Sequence, residues 1–332
     1  MGVLLWGSTV WTVNMTTYII RRLLMGVVII LIVTIMIFLF MRLLPGDPLI
    51  IYISQADMSN LSPEQMAKLQ HKFGLDKPMP LQYVSWITGI FRGDFGRSIY
   101  YDVEVGRLIA ERFPVTIHLG FLAFILSGIL GISSGVICAL RRGTWIDTVV
   151  TFLANIGITM PAFWLGIILI YLLALKAGLL PVHGYTSPFE NFWLSTKQVV
   201  MPVICLSLFS IASLTRLTRS SMLEVVKQDY IRTAWAKGLR ERVIIMRHTI
   251  KNALIPVITV MGLQIAFIFG GAVLIETVFN IPGIGRLMTQ SVMQQDFQVV
   301  QAGTLIIATV VVLANLIVDI SYGWLDPRIR YE

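Results

Sequence analysis

Few residues in this chain have the types and spacing that bond-making chemistry needs. No GxxxxGK[ST] run cradles phosphates and no HExxH pair offers zinc ligands, and the single GxSxG match, Gly131–Gly135, falls inside an apolar run of membrane-spanning length and not at a strand-to-helix turn. His71, His118, His183 and His248 are scattered without metal-ligand spacing. Cys138 and Cys205 each fall inside an apolar run, where they read as small buried hydrophobes. What the sequence does concentrate is positive charge. Between Arg216 and Lys251 nine Lys/Arg stand against three acids, Glu224, Asp229 and Glu241. Within this block Met222, Val225, Val226, Tyr230, Ala234 and Leu239 recur at roughly helical spacing, interleaved with Lys227, Arg232 and Lys237. Gly238 permits a sharp bend, after which Glu241–Ala253 resumes as helix. Two readings stand. The block is either a rigid knob of short angled helices that another protein grips, or an amphipathic helix lying on a membrane surface.

The elements that position this block are membrane spans. Apolar residues make up 56% of the chain and charged residues 13%, against about a quarter charged in soluble domains. A helix needs roughly 20 apolar residues to cross the hydrocarbon core. Six such runs occur, at about 23–43, 118–140, 148–176, 199–217, 254–275 and 302–321. The third is too long for a simple span, and Pro161 inside it predicts a kink. With the N-terminus in the cytoplasm, the inner segments hold 15 Lys/Arg against seven acids, and the outer segments 11 against 11. The net charge of +8 therefore sits on one side, as the positive-inside rule requires. That distribution follows topology and does not point to nucleic acid. The expected fold is an all-α integral membrane protein with six transmembrane helices and both ends cytoplasmic.

Residues 1–14, MGVLLWGSTVWTVN, are apolar but short and lack a basic start, so no cleaved signal peptide is expected; with Met15 a second plausible start, they read as an upstream extension or a mis-assigned start. Residues 44–115 form an extracytoplasmic segment opening with the rigid turn LLPGDP. Ser62, Pro63 and Gln65 predict a helix start running to about Phe73. Amphipathic stretches follow at Tyr83–Phe91 and at Val103–Arg112, the latter halting before Pro114. This segment serves as a lid over the membrane domain, as a docking surface, or as both. The turn RRGTWID (Arg141–Asp147) is too short to hold a site. The connection 177–198 reads as a loop with a short interfacial helix near Phe192–Trp193, and RLMTQSVMQQDF as a short surface helix. In mid-span only Asn155, Gln264, Asn315 and hydroxyls are polar, and helix–helix hydrogen bonding is their simplest use. An ion-driven pump needs more intramembrane charge than this.

An ordered set of motifs adds a resemblance. YIIRRLL (Tyr18–Leu24), RLLPGDP (Arg42–Pro48), FGLDKP (Phe73–Pro78), GDFGRS (Gly93–Ser98), MPAFWLG (Met160–Gly166) and LLPVHG (Leu179–Gly184) occur in turn. They are followed by DYIRTAWAKGL (Asp229–Leu239), RHTIKNALIPV (Arg247–Val257), ETVFNIPGIGRL (Glu276–Leu287), DFQVVQ (Asp296–Gln301) and LDPRIRY (Leu325–Tyr331). The set resembles the membrane-spanning permease subunit of ATP-binding-cassette importers. The branch is the dipeptide/oligopeptide/nickel family, and within it the first permease, with the large outer loop. The resemblance implies the type I importer fold: an N-terminal extension over 1–17, a first helix over 18–43, the outer segment 44–115, a permease domain over 116–322 and a cytoplasmic tail over 323–332. It implies a coupling loop over 218–254. There Gln228, Asp229, Tyr230, Ile231, Arg232, Thr233, Ala234, Trp235, Ala236, Lys237, Gly238 and Leu239 would dock on an ATPase subunit. Against the wider superfamily pattern, anchored on Gly238, only the glycine, Ala234 and an apolar residue survive, and Lys251 is a local departure.

The implied role is a non-catalytic half of a translocation pathway, driven by ATP and Mg bound on partner subunits, with no cofactor on this chain. The implied partners are a paralogous second permease, two ATPases, an extracytoplasmic solute-binding protein and membrane lipid. The outer segment 44–115 and the 276–301 loop are the surfaces for the binding protein. Peptides are the expected cargo. Nickel or oligosaccharides are the alternative cargoes, and an ion-coupled transporter or a membrane scaffold the alternative classes.

Overall fold

The computed structural model describes residues 15–43, 64 and 76–325. Residues 1–14, the expected 62–73 helix apart from Glu64, and the chain beyond Leu325 lie outside the described residues. The elements are α1 (Met15–Leu43), α2 (Met79–Phe91), α3 (Val105–Leu140), α4 (Trp145–Thr159) and α5 (Ala162–Leu169), which runs into a widened π-type turn over Ile170–Lys176. They continue as α6 (Phe192–Val225), α7 (Asp229–Ala236), α8 (Glu241–Val278), α9 (Ile284–Met293) and α10 (Phe297–Leu325). Among the described residues five helices are long and apolar enough to cross a membrane, and the bent α4–α5 pair makes a sixth crossing if taken as one span. Among the described residues the only β pairing is an isolated bridge between Arg97 and Glu104.

The direction of each helix follows from which glycines meet which neighbours. A Cβ on Gly131 would lie 2.7 Å from Leu214 Cβ, and one on Gly135 would lie 2.7 Å from Thr215 O. Four residues along α3 match four along α6, so the two helices run parallel, backbone against side chain, as small residues allow in a membrane. Gly128 meets Met261 while Gly120 meets Ile268 and Phe269, so α8 runs antiparallel to α3. Because α3 and α6 are parallel, the chain from Leu140 to Phe192 must cross the layer once. The bent pair α4–α5 therefore makes a full traverse. Its 106° break falls where Met160 takes an extended conformation (φ −76°, ψ 123°) ahead of Pro161, the restriction a following proline imposes.

Several elements depart from the sequence reading. Residues 15–17 already belong to α1, and 323–325 to α10. The Val103–Arg112 helix does not halt before Pro114: α3 passes straight through it. Neighbouring helices re-satisfy the backbone group that a membrane proline frees. Phe192 and Trp193 open the long helix α6 and form no separate interfacial helix. The helical pattern over 220–239 breaks at Val226–Gln228 between α6 and α7. Much of the segment 218–254, expected as a coupling loop, belongs to the long helices, since α6 reaches Val225 and α8 starts at Glu241. The surface helix α9 is embedded along one face: Ile284, Leu287 and Ser291 are buried, while Gln290, Val292 and Met293 are exposed.

Burial gathers in three places. Val115, Leu119 and Ala123 of α3 pack with Val199–Leu206 of α6 and with Ile268, Ala272 and Ile275 of α8. Val105, Leu108 and Ile109 pack with Ile284, Leu287, Val299 and Ala302 at one end of the bundle. Ile231, Ala234 and Ile244 form a small cluster at the other. At the far end of α1, Phe38 packs on the rings of Tyr83 and Trp86 of α2, and Thr34 hydrogen-bonds Tyr83 at 2.8 Å.

Candidate coupling site and outer face

The twelve residues Gln228–Leu239 come together as one short helix and its cap. Ile231 and Ala234, three apart, form its buried stripe against Ile244 of α8 and Val225 of α6. All the others are exposed. Trp235 and Tyr230, which flank the buried stripe on either side, are about half-exposed, and Leu239 beyond the helix is close to that. Tyr230 Oη accepts from Asn252 Nδ2 at 3.1 Å, which ties α7 to α8 by a second contact. The helix stops at Gly238, whose φ of +72° is the left-handed value a helix C-terminus takes. Gly238 N–H donates to Trp235 O at 2.9 Å and Leu239 N–H to Ala234 O at 3.3 Å, the paired bonds of a Schellman cap. A Cβ at Gly238 would meet nothing within 4 Å, so backbone conformation and not crowding calls for glycine there.

Immediately beyond the bend, Ile244–Thr249 is a π-type widening at the foot of α8. Thr249 Oγ1 donates to Ile244 O at 3.2 Å across it. The short turn before α4 also contributes, although the sequence reading gave it no role. Asp147 takes a bidentate bond from Arg219 of α6, at 2.7 and 2.9 Å, and the Gly143 N–H at 3.0 Å. The pair fastens the foot of α4 to the last turns of α6, just above α7. No spacing in the sequence links positions 72 residues apart; only a buried acid in an otherwise basic turn hints at it.

The opposite end joins motifs that are distant in sequence. Asp296, between α9 and α10, receives the Ser98 hydroxyl and the Tyr100 N–H at 3.2 Å. GDFGRS is thus pinned to DFQVVQ. The hairpin that carries Ser98 is closed by Ser98 N–H to Val103 O and Val105 N–H to Gly96 O, with Arg97 bonded to Asp102 at 2.8 Å. Burial pushes the Tyr101 phenol pKa up, so it is a neutral donor toward Gln290 of α9 at a long 3.4 Å. The 276–301 loop and the end of the outer segment therefore form one continuous face. Tyr185, on the 177–191 connection, contacts His118 of α3 at 2.9 Å. In mid-membrane, Gln264 is 4% exposed, and neither of its amide atoms has a hydrogen-bond partner. The helix–helix bond expected of it is not made. Asn155 is exposed.

Comparison with known proteins agrees with this architecture. Residues 131–331 match the family described as binding-protein-dependent transport system inner membrane component. Residues 15–120 match its N-terminal companion. A probable peptide ABC transporter permease, y4tP of Sinorhizobium fredii, is 41% identical over 96% of this chain and all of its own length. The dipeptide transport system permease DppB of Escherichia coli is 38% identical over 96% of this chain and all of its own length. Among solved structures, the inward-facing methionine ABC transporter MetNI shares the fold, with a TM-score of 0.54 and 16% identity over 66% of this chain and 96% of its own. The long apolar spans are thus those of a multi-pass permease, and the chain belongs to the inner-membrane components of binding-protein-dependent transport systems.

Proposed function

We propose that this chain is one half of the pathway of an ATP-driven peptide importer, with α7 as the lever that takes up motion from an ATPase subunit. The observation that carries the reading is α7 itself. Its inner stripe is clamped by Ile231, Ala234 and Ile244, so it moves with the bundle. On either side of that stripe Tyr230 and Trp235, and past the cap Leu239, keep substantial exposed surface. Aromatic side chains displayed on a rigid element are the usual anchors of a protein interface. The face bearing α7 carries the excess of Lys/Arg, which orients it to the cytoplasm with both termini. The joined outer face at Asp296 and Ser98 then meets the solute-binding protein. A second permease completes the pathway. ATP and Mg act on the partner subunits and no catalytic step belongs to this chain. Peptides are favoured as cargo because the relatives at 38–41% identity are named as peptide or dipeptide permeases.

The test is uptake by the complete transporter in liposomes. ATP inside and loaded binding protein outside should drive accumulation of labelled di- or oligopeptide; nickel or oligosaccharide uptake under the same conditions would reassign the cargo. In the same assay Gly238→Val strains the cap by about 1–2 kcal/mol, because a β-branched residue resists φ +72°. It should leave the complex assembled and lower peptide uptake per ATP hydrolysed. Unchanged coupling would remove α7 from the lever role.

A further inference from the structure

Glu276 is fully buried, with 0% exposure, at the end of α8 farthest from α7. Its Oε1 accepts the hydroxyl of Thr116 of α3 at 2.6 Å. Its Oε2 accepts the N–H of Arg286, in the first turn of α9, at 3.0 Å. Thr116 Oγ1 in turn accepts the Ile284 N–H at 2.9 Å, so the hydroxyl bridges carboxylate and helix start. Three elements meet on one side chain, and they meet closely. A Cβ on Gly283 would overlap the Glu276 carboxylate, and one on Gly285 would overlap the Val273 backbone. First-turn N–H groups of a helix have no partner within it and need an acceptor. The protein supplies that acceptor from its own α8.

The placement connects the two faces of the molecule. The helix α8 is continuous from Glu241, next to the α7 cap, to Glu276. At about 1.5 Å per residue it is on the order of 55 Å long, with the π-type widening over Ile244–Thr249 and Pro256 both close to its α7 end. From Glu276 the connection passes through α9 to Asp296, which holds the Ser98 hairpin. We propose that Glu276 is a positioning residue of the transport cycle: it fixes α9 to α3 and α8, so that motion entering at the α7 end reaches the outer face undamped. This rests on the importer reading above and adds a specific joint to it.

The probes are chosen to spare the fold. Glu276→Gln keeps the shape and can turn its oxygen toward Arg286 N–H, but it removes the acceptor for Thr116. Thr116→Val removes the bridging hydroxyl from the other side, and Thr116→Ser restores it. In the complete transporter, Glu276→Gln and Thr116→Val should each lower maximal peptide uptake about tenfold, the size of one hydrogen bond to a charged group. Basal ATP hydrolysis and the binding-protein concentration giving half-maximal stimulation should stay near wild type. Thr116→Ser should recover uptake, and the double variant should be no worse than either single one, since both cut the same joint. Uptake near wild type in assembled Glu276→Gln and Thr116→Val complexes would overturn the proposal. So would a parallel fall in assembly and basal hydrolysis in both, which would make Glu276 merely structural. Failure of the wild-type complex to import under ATP would instead overturn the importer reading.

Discussion

Asp147 shows how one buried acid decides which elements move together. Its carboxylate faces a forked guanidinium, a turn N–H and, at 3.4 Å, the Thr151 hydroxyl. The bidentate geometry is what arginine provides and lysine cannot. Arg219 keeps 30% of its side chain exposed, so the pair is partly screened. We expect Asp147→Asn to lower the thermal stability of the detergent-solubilised chain by about 2 kcal/mol, the range for hydrogen bonds to charged groups. Arg219→Lys, which keeps the charge and one bond, should cost less. No loss in Arg219→Lys beside a full loss in Asp147→Asn would show that charge alone, and not the fork, fastens α4 to α6. This residue was not legible in the sequence. RRGTWID reads as a basic turn, and only the fold brings Arg219 beneath it. Glu276 and Asp296 were legible only as members of motifs, because a carboxylate near a span end reads equally well as solvated.

At the scale of elements, the spans were readable from apolar length, because a bilayer leaves a helix little alternative. Their ends were not. α3, α6 and α8 run past the apolar windows into polar ground, and nothing in the residue types of Val105–Phe113 marks them as part of a spanning helix. Pro161 predicted a kink, but its 106° size depends on the packing around it. Pro114 and Pro161 are alike in sequence, yet the first is absorbed and the second splits a span. What the sequence held but did not announce is the glycine seam of α3. A methyl on Gly135 would press on Thr215 O and Thr218 Cβ, whereas one on Gly270 of α8 would meet nothing within 4 Å. Gly135→Ala should therefore destabilise the isolated chain by about 1–3 kcal/mol through overpacking. Gly270→Ala should be neutral or stabilising by up to about 1 kcal/mol through helix propensity. Thermal melting of the two in the same detergent checks the contrast, and equal melting points would mean that α3 and α6 are not held by close backbone approach.

For the molecule as a whole, charge and packing speak to topology independently. The positive-inside count uses only the sequence, and it puts Arg141/Arg142 and the α7 block on one side. The glycine contacts use only packing. They set α3 parallel to α6 and antiparallel to α8, which places the 141–144 turn and α7 together and the 177–191 connection opposite. Both arguments fail together if the α4–α5 pair is a re-entrant hairpin, because Phe189 would then share a side with Arg142. The native thiols, Cys138 and Cys205, are both buried, so introduced cysteines can be read against a quiet background. Phe189, 99% exposed, and Met293, 79% exposed, are suitable outer sites; Arg142 and Lys237 are exposed inner ones. A membrane-impermeant maleimide added to intact spheroplasts should label Phe189→Cys and Met293→Cys. Arg142→Cys and Lys237→Cys should react only after permeabilisation. Labelling of Phe189→Cys and Arg142→Cys from the same side would turn the broken span into a hairpin and take α3 and α6 out of parallel register. Labelling of both pairs with sides exchanged would leave the packing intact and overturn only the charge argument, moving α7 away from any cytoplasmic ATPase.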